Sequence, residues 1–131
     1  MKKINLYTDG SSLGNPGKAG IGVIIKDEKG KEITHLSKSI GLATNNQAEY
    51  TALIYGLEKA KALKAEEVKC FLDSKLVVEQ INRRYKIKDG NLGRLFIKIW
   101  NLSQSFKKIN FYYLEREKNK EADRLANKAH F

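Results

Sequence analysis

The 131 residues carry 25 Lys and Arg against 15 Asp and Glu, a formal net charge of +10, with 41% hydrophobic and 31% charged residues. That length suits one hydrophobic core and one domain spanning residues 1–131, and the positive balance points to a polyanionic partner, nucleic acid being the commonest. No apolar run reaches the roughly 18 residues of a membrane span, the start Met1-Lys2-Lys3-Ile4-Asn5 is too polar for a signal peptide, and a single cysteine, Cys70, excludes an internal disulfide, so a cytoplasmic protein with no membrane partner is expected.

Ile4 to Thr8 alternate and are rich in β-formers, giving a first strand that ends at Asp9. Ile21 to Ile25 form a second apolar run, and the turn sequence Asp27-Glu28-Lys29-Gly30 leads to a third strand around Glu32 to Ile40. These three strands read as an antiparallel meander. A helix starts near the capping residues Thr44-Asn45-Asn46 and carries Ala48, Ala52, Leu53, Ile54, Leu57 and Ala60 to about Leu63.

Val68 to Leu72 make a fourth strand that ends at a second acid, Asp73. Cys70 lies in this alternating run and reads as a buried small hydrophobe. Ser74 caps a short helix over Leu76 to Ile81. Leu92, Leu95, Phe96, Ile99 and Leu102 repeat at helical spacing, and Trp100 beside this stripe is expected in the core. Ile109 to Leu114 form a fifth strand, and Ala122, Leu125, Ala126 and Ala129 give the apolar stripe of a closing helix. The fourth strand must return through a helical crossover, so it joins the sheet in parallel. The expected fold class is α/β: a mixed five-stranded sheet, its first three strands antiparallel, flanked by helices.

Acids at element boundaries carry the chemical signal. Asp9 and Asp73 close strands, and Glu49 lies one turn inside the first long helix. Each alone has an ordinary reading as a turn residue or a first-turn acid favoured by the helix dipole. Their flanks are less ordinary. Gly10-Ser11-Ser12-Leu13-Gly14-Asn15-Pro16-Gly17 follows Asp9, where small residues let backbone approach a ligand and Ser and Asn offer hydrogen bonds. The segment lacks the Gly-Lys-Ser/Thr ending of a nucleotide-binding P-loop.

Tyr7-Thr8-Asp9-Gly10-Ser11 with Gly14-Asn15-Pro16-Gly17 resembles the opening of ribonuclease H type 1. Thr44-Asn45-Asn46-Gln47-Ala48-Glu49-Tyr50, Leu72-Asp73-Ser74 and Asn119-Lys120-Glu121-Ala122-Asp123-Arg124-Leu125-Ala126 are similar to the family's other three motifs. The motifs occur in order across nearly the whole chain. The resemblance implies a ribonuclease H-like fold and hydrolysis of the RNA strand of RNA–DNA hybrids to 5′-phosphate and 3′-hydroxyl ends. It implies two Mg²⁺ ions, for which Mn²⁺ can substitute, since carboxylates suit a hard cation. Asp9 would bridge both ions, Glu49 and Asp73 would complete one site, and Asp123 would hold the other. By the same resemblance Gly10, Ser11, Ser12, Asn46 and Glu49 would contact RNA sugars. Asn15 and Thr44 would grip a phosphate of the DNA strand, and Asn45 and Ser74 join the expected substrate-binding set. A monomer is expected.

Two departures stand out. The loop Glu115-Arg116-Glu117-Lys118-Asn119 holds no histidine, where many family members use one in product release; Arg116 and Lys118 are the cations available there. His35 and His130 read as surface or packing residues. The segment Arg83-Arg84-Tyr85-Lys86-Ile87-Lys88-Asp89-Gly90 replaces the longer basic protrusion of some members, making this a short form. The alternatives are a hybrid- or duplex-binding module with weak catalysis, and a nuclease of the same fold that also cuts double-stranded RNA.

Overall fold

The computed structural model describes residues 2–130. Three strands open the chain: β1 (Lys3–Ser12), β2 (Gly17–Asp27) and β3 (Glu32–Ala43). Then come α1 (Asn45–Ala62), β4 (Glu67–Leu72), α2 (Lys75–Ile81), α3 (Gly90–Ser103), β5 (Lys108–Tyr113) and α4 (Lys120–Lys128), with a 3₁₀ turn over Arg116–Lys118 before α4. The sheet order is β3-β2-β1-β4-β5; β1, β2 and β3 pair antiparallel, while β4 pairs in parallel with both β1 and β5. This is the mixed sheet expected from the order of elements.

Two expectations are corrected at the opening hairpin. β1 does not stop at Asp9 but runs on to Ser12, and β2 begins at Gly17, with Asp9 opposite Gly22 and Ser12 opposite Ala19. Gly10, Ser11 and Ser12 are therefore ladder rather than loop, and the turn is confined to residues 13–16. Its small residues answer to packing. A methyl on Gly22 would lie 2.1 Å from the Ala122 carbonyl oxygen, so α4 could not lie against β2 if that position bore a side chain.

α1 packs over one face of the sheet. Tyr50, Leu53, Leu57 and Ala60 are fully buried with Leu6, Val23, Ile25, Val68, Cys70 and Leu72. Cys70 is inert in this setting, because burial raises its thiol well above the ordinary value. The start of α1 is fixed by a reciprocal capping box: Thr44 Oγ1 accepts from the Gln47 amide at 3.1 Å, and Gln47 Oε1 accepts from the Thr44 amide at 2.9 Å. The Tyr50 hydroxyl donates to Gln80 Oε1 at 2.7 Å, a buried bond that ties α1 to α2. Across the exposed part of the sheet Tyr7, Phe71 and Tyr112 stack from strand to strand, with centroids 5.0 and 5.6 Å apart. Trp100, expected in the core, is 45% exposed on α3; Leu92 and Ile99 are the buried positions of that helix.

Candidate active site

The parallel pairing of β1 and β4 sets Thr8 beside Leu72, so Asp9, within β1, and Asp73, just past the end of β4, stand at the same level. Glu49 comes to them from α1, and the approach depends on Gly10. A methyl there would lie 2.2 Å from the Ala48 carbonyl carbon and 2.4 Å from the Glu49 nitrogen. With no side chain in the way, the Gly10 N–H donates to Glu49 Oε1 at 3.2 Å. Asp9, Glu49 and Asp73 each then offer an oxygen within 4.8 Å of the others.

The electrostatics of this group are severe. Asp9 is 3% exposed and Glu49 7% exposed. Burial, followed by the charge of Glu49, raises the Asp9 carboxyl far above the usual carboxylate range. Burial raises Glu49 to about 7, and it raises Asp73 as well, against the opposing pull of Asn119 and Arg116. Asp9 Oδ2 and Glu49 Oε2 are buried and make no hydrogen bond among the described residues. Buried oxygens in that condition mark a place where a cation can bind.

Asp123 lies outside that mutual group but close to Asp9, whose carboxyl it helps to raise, and its charge also raises Asp73. It lies in the first turn of α4, where its amide donates to the Asn119 carbonyl at 3.1 Å. Its Oδ1 accepts from Arg116 Nη2 at 3.4 Å and from Asn127 Nδ2 at 3.3 Å. Asp123 raises Arg116 above its ordinary value, with smaller contributions from Asp9 and Asp73. Arg116 therefore occupies the histidine-free loop as the cation facing the acids.

The remaining expected residues divide into those committed to structure and those lining open space. Ser11 donates to Asn127 Oδ1 at 3.1 Å. The Ser12 amide donates to Asn45 Oδ1 at 3.0 Å, and its hydroxyl, with its single hydrogen, lies between the Ala43 carbonyl at 2.8 Å and the Gly14 carbonyl. Asn15 Oδ1 accepts from the Asn45 amide at 3.2 Å. These bonds draw the β1–β2 turn to the start of α1. Asn15, Thr44, Asn45 and Asn46 line a shallow pocket closed by Asp89 and Leu92. Ser74 Oγ accepts from the Val77 amide at 3.3 Å and caps α2. His35 is exposed and pairs with Glu32, whereas His130 packs against Ser11.

Asn119 is the residue whose role the sequence concealed. It is 2% exposed, and its Nδ2 donates both to the Thr8 carbonyl at 3.0 Å and to Asp73 Oδ2 at 2.9 Å. An Asn before a helix reads as a cap. Here its side chain makes no capping bond and orients Asp73 instead. Nothing in local sequence distinguishes the two uses.

A family model described as "Reverse transcriptase-like" matches residues 7–129. A bifunctional protein of Mycobacterium tuberculosis is 44% identical over 128 residues, 97% of this chain but 35% of that protein, so the chain spans about a third of its length. Ribonuclease HI of Halobacterium salinarum is 35% identical over 127 residues, 97% of this chain and 64% of that protein. The crystal structure of RNase H1 from the same archaeon superposes with a TM-score of 0.96 at 35% identity, covering 98% of this chain and 97% of that one. LC11-RNase H1, solved in complex with an RNA/DNA hybrid, superposes with a TM-score of 0.92 at 43% identity, covering 96% and 95%.

Proposed function

The chain belongs to the ribonuclease H type 1 family, and from that premise we propose that it is a metal-dependent endonuclease hydrolysing the RNA strand of RNA–DNA hybrids. The observation that carries the reading is the meeting of Asp9, Glu49 and Asp73 within 4.8 Å, with buried oxygens left unpartnered. Two buried acids with a third beside them call for something to neutralise their charge. A pure duplex-binding module would gain nothing from negative charge where a phosphate must lie.

The donor set suits a hard cation, since every ligand is a carboxylate oxygen. Asp9, Glu49 and Asp73 would hold it, with Asp123 completing a second site. We propose Mg²⁺ in both, Mn²⁺ substituting. Bound there, the cations supply the charge that activates water and stabilises the leaving 3′-oxygen of the scissile phosphate. The chain's own residues fix the acids in place. Gly10 N–H holds Glu49, and Asn119 holds Asp73 against the β1 backbone. Arg116 balances Asp123, and as an exposed guanidinium it would meet a phosphate oxygen as product leaves. The pocket of Asn15, Thr44, Asn45 and Asn46 offers amide and hydroxyl groups to the backbone of the second strand. The products would carry 5′-phosphate and 3′-hydroxyl ends. We read residues 1–131 as one catalytic domain acting as a monomer in the cytoplasm; no helix among the described residues is long and apolar enough to cross a membrane.

The test is incubation of a labelled RNA–DNA hybrid with the protein, with Mg²⁺ or with chelator, beside Asp9→Asn. Internal cuts in the RNA strand are expected, absent with chelator and with the variant. Binding without any cut under Mg²⁺, Mn²⁺ or Co²⁺ would overturn the reading in favour of a binding module. Parallel arms with double-stranded RNA and DNA define the substrate range.

A further inference from the structure

Asp123 lies outside the 4.8 Å group of acids, and a chain of hydrogen bonds leads from it back to His130. Asn127, one helical turn beyond Asp123, donates to Asp123 Oδ1 through Nδ2. Asn127 Oδ1 accepts from the Ser11 hydroxyl, and Ser11 Oγ lies 3.2 Å from His130 Nε2. One assignment of directions fits these contacts and leaves no buried N–H without an acceptor. A serine hydroxyl has one hydrogen, and here it is given to Asn127. Ser11 Oγ can then only accept from the histidine, so His130 Nε2 is a donor. His130 Nδ1 is buried without a partner among the described residues, a worse place for an N–H than for a lone pair.

The consequence falls on Asn127. An amide takes its orientation from the network it joins, and here Asn127 accepts from Ser11 through oxygen while donating to Asp123 through nitrogen. Asn127 is exposed on α4, and without Ser11 its side chain would be free to rotate away from Asp123. The same chain joins two carriers of acids. Ser11 is on β1, two residues beyond Asp9, and Asn127 is on α4 with Asp123.

We propose that His130 is a positioning residue: through Ser11 and Asn127 it fixes the carboxylate of Asp123 and its spacing from Asp9, and so sets the affinity for the cation held there. The proposal rests on the metal-dependent reading above. It gives Ser11 a duty besides the expected contact with an RNA sugar.

The test is Mn²⁺ titration without nucleic acid, read by the loss of the free-ion paramagnetic resonance signal, together with the Mg²⁺ dependence of hybrid cleavage. Asn127→Ala removes a group bonded directly to Asp123 and should weaken the weaker Mn²⁺ site about 10-fold or more, whereas His130→Ala, further along the chain, should weaken it about 3–10-fold. Excess Mg²⁺ should restore kcat, with KM for hybrid unchanged. His130→Gln, which can still donate to Ser11, should recover most of the affinity. The double variant should be no worse than Asn127→Ala alone, because both changes break one chain. Wild-type Mn²⁺ binding in His130→Ala overturns the proposal. So does a raised KM with Mn²⁺ binding intact, which would make His130 a substrate contact. A lowered melting point in chelator with no recovery by Gln would reduce it to packing. If the unaltered protein binds no Mn²⁺, the metal-dependent reading itself fails, an outcome separate from these.

Discussion

Asp9→Asn should make the metal-free protein more stable while abolishing cleavage. Asp9, Glu49 and Asp73 offer oxygens within 4.8 Å of one another, and the first two are buried. Two unit charges at that separation repel by about 3 kcal/mol at an effective dielectric of about 20. Proton uptake relieves part of this, so replacing one charge with an amide should return about 1–3 kcal/mol. For a domain of this size that is a rise in melting temperature of about 4–10 °C. The sign of the pH dependence follows from the raised carboxyls. Groups whose folded values lie above the unfolded ones stabilise fully below the unfolded value, near 4.5 for Glu49, and lose that contribution as pH rises through about 7. The advantage of Asp9→Asn in chelator should therefore be large at pH 8 and nearly absent at pH 4.5. Adding Mg²⁺ should raise the melting point of the unaltered protein and much less that of the variant. Thermal melts followed by circular dichroism read all three. A variant that melts at or below the parent at pH 8 in chelator, or an advantage that does not change with pH, would refute the account of the site as a cluster of repelling acids.

Gly10→Ala should fail to hold α1 in place, because the new methyl meets backbone at 2.2 Å rather than a movable side chain. A loss of about 3 kcal/mol or more in urea unfolding, with cleavage gone, is expected; near-native stability would show that the strand and helix can separate freely. Asn119→Ala strips Asp73 of its donor and leaves the Thr8 carbonyl buried without that bond. It should cost about 1–3 kcal/mol and about 10–100-fold in cleavage at low Mg²⁺, and full activity in a cleavage assay would remove Asn119 from the site. Arg116→Ala breaks a surface ion pair whose arginine is 75% exposed, so melting should hardly move. Turnover under multiple-turnover conditions should fall more than the single-turnover rate if Arg116 acts in product departure; equal effects on both would place it in the chemical step.

The elements were legible where hydrophobic period and caps agreed. Thr44 forecasts the start of α1, Ser74 that of α2, and the alternation around Cys70 forecasts β4. The extent of the opening hairpin is hidden in the sequence because glycine and serine lower strand propensity in any local reading. What overrides propensity is tertiary: at Gly10 and Gly22 a helix backbone occupies the volume a side chain would need. The exposure of Trp100 is hidden for a related reason, since its helix buries only Leu92 and Ile99 and the indole falls on the flank. Of the acids, the sequence marks Asp9, Glu49 and Asp73 by their flanks, but their meeting depends on strand pairing that residue spacing does not disclose.

The same close approaches explain how a small fold can hold a site that works against its own stability. Repulsion among Asp9, Glu49 and Asp73 is resisted by the elements that carry them, and those elements are locked at contacts with no room to slide. α1 is pressed on β1 at Gly10, and α4 on β2 at Gly22. β4 is joined to β1 by a full parallel ladder ending at Thr8 and Leu72. The polar bonds then set direction rather than distance: Gly10 N–H aims Glu49, Asn119 aims Asp73, and Asn127 with Arg116 aims Asp123. A substitution that loosens a close contact should therefore cost both folding and cleavage. One that removes only an aiming bond should raise the cation requirement first, and the two classes separate when melting in chelator is compared with cleavage across a Mg²⁺ series.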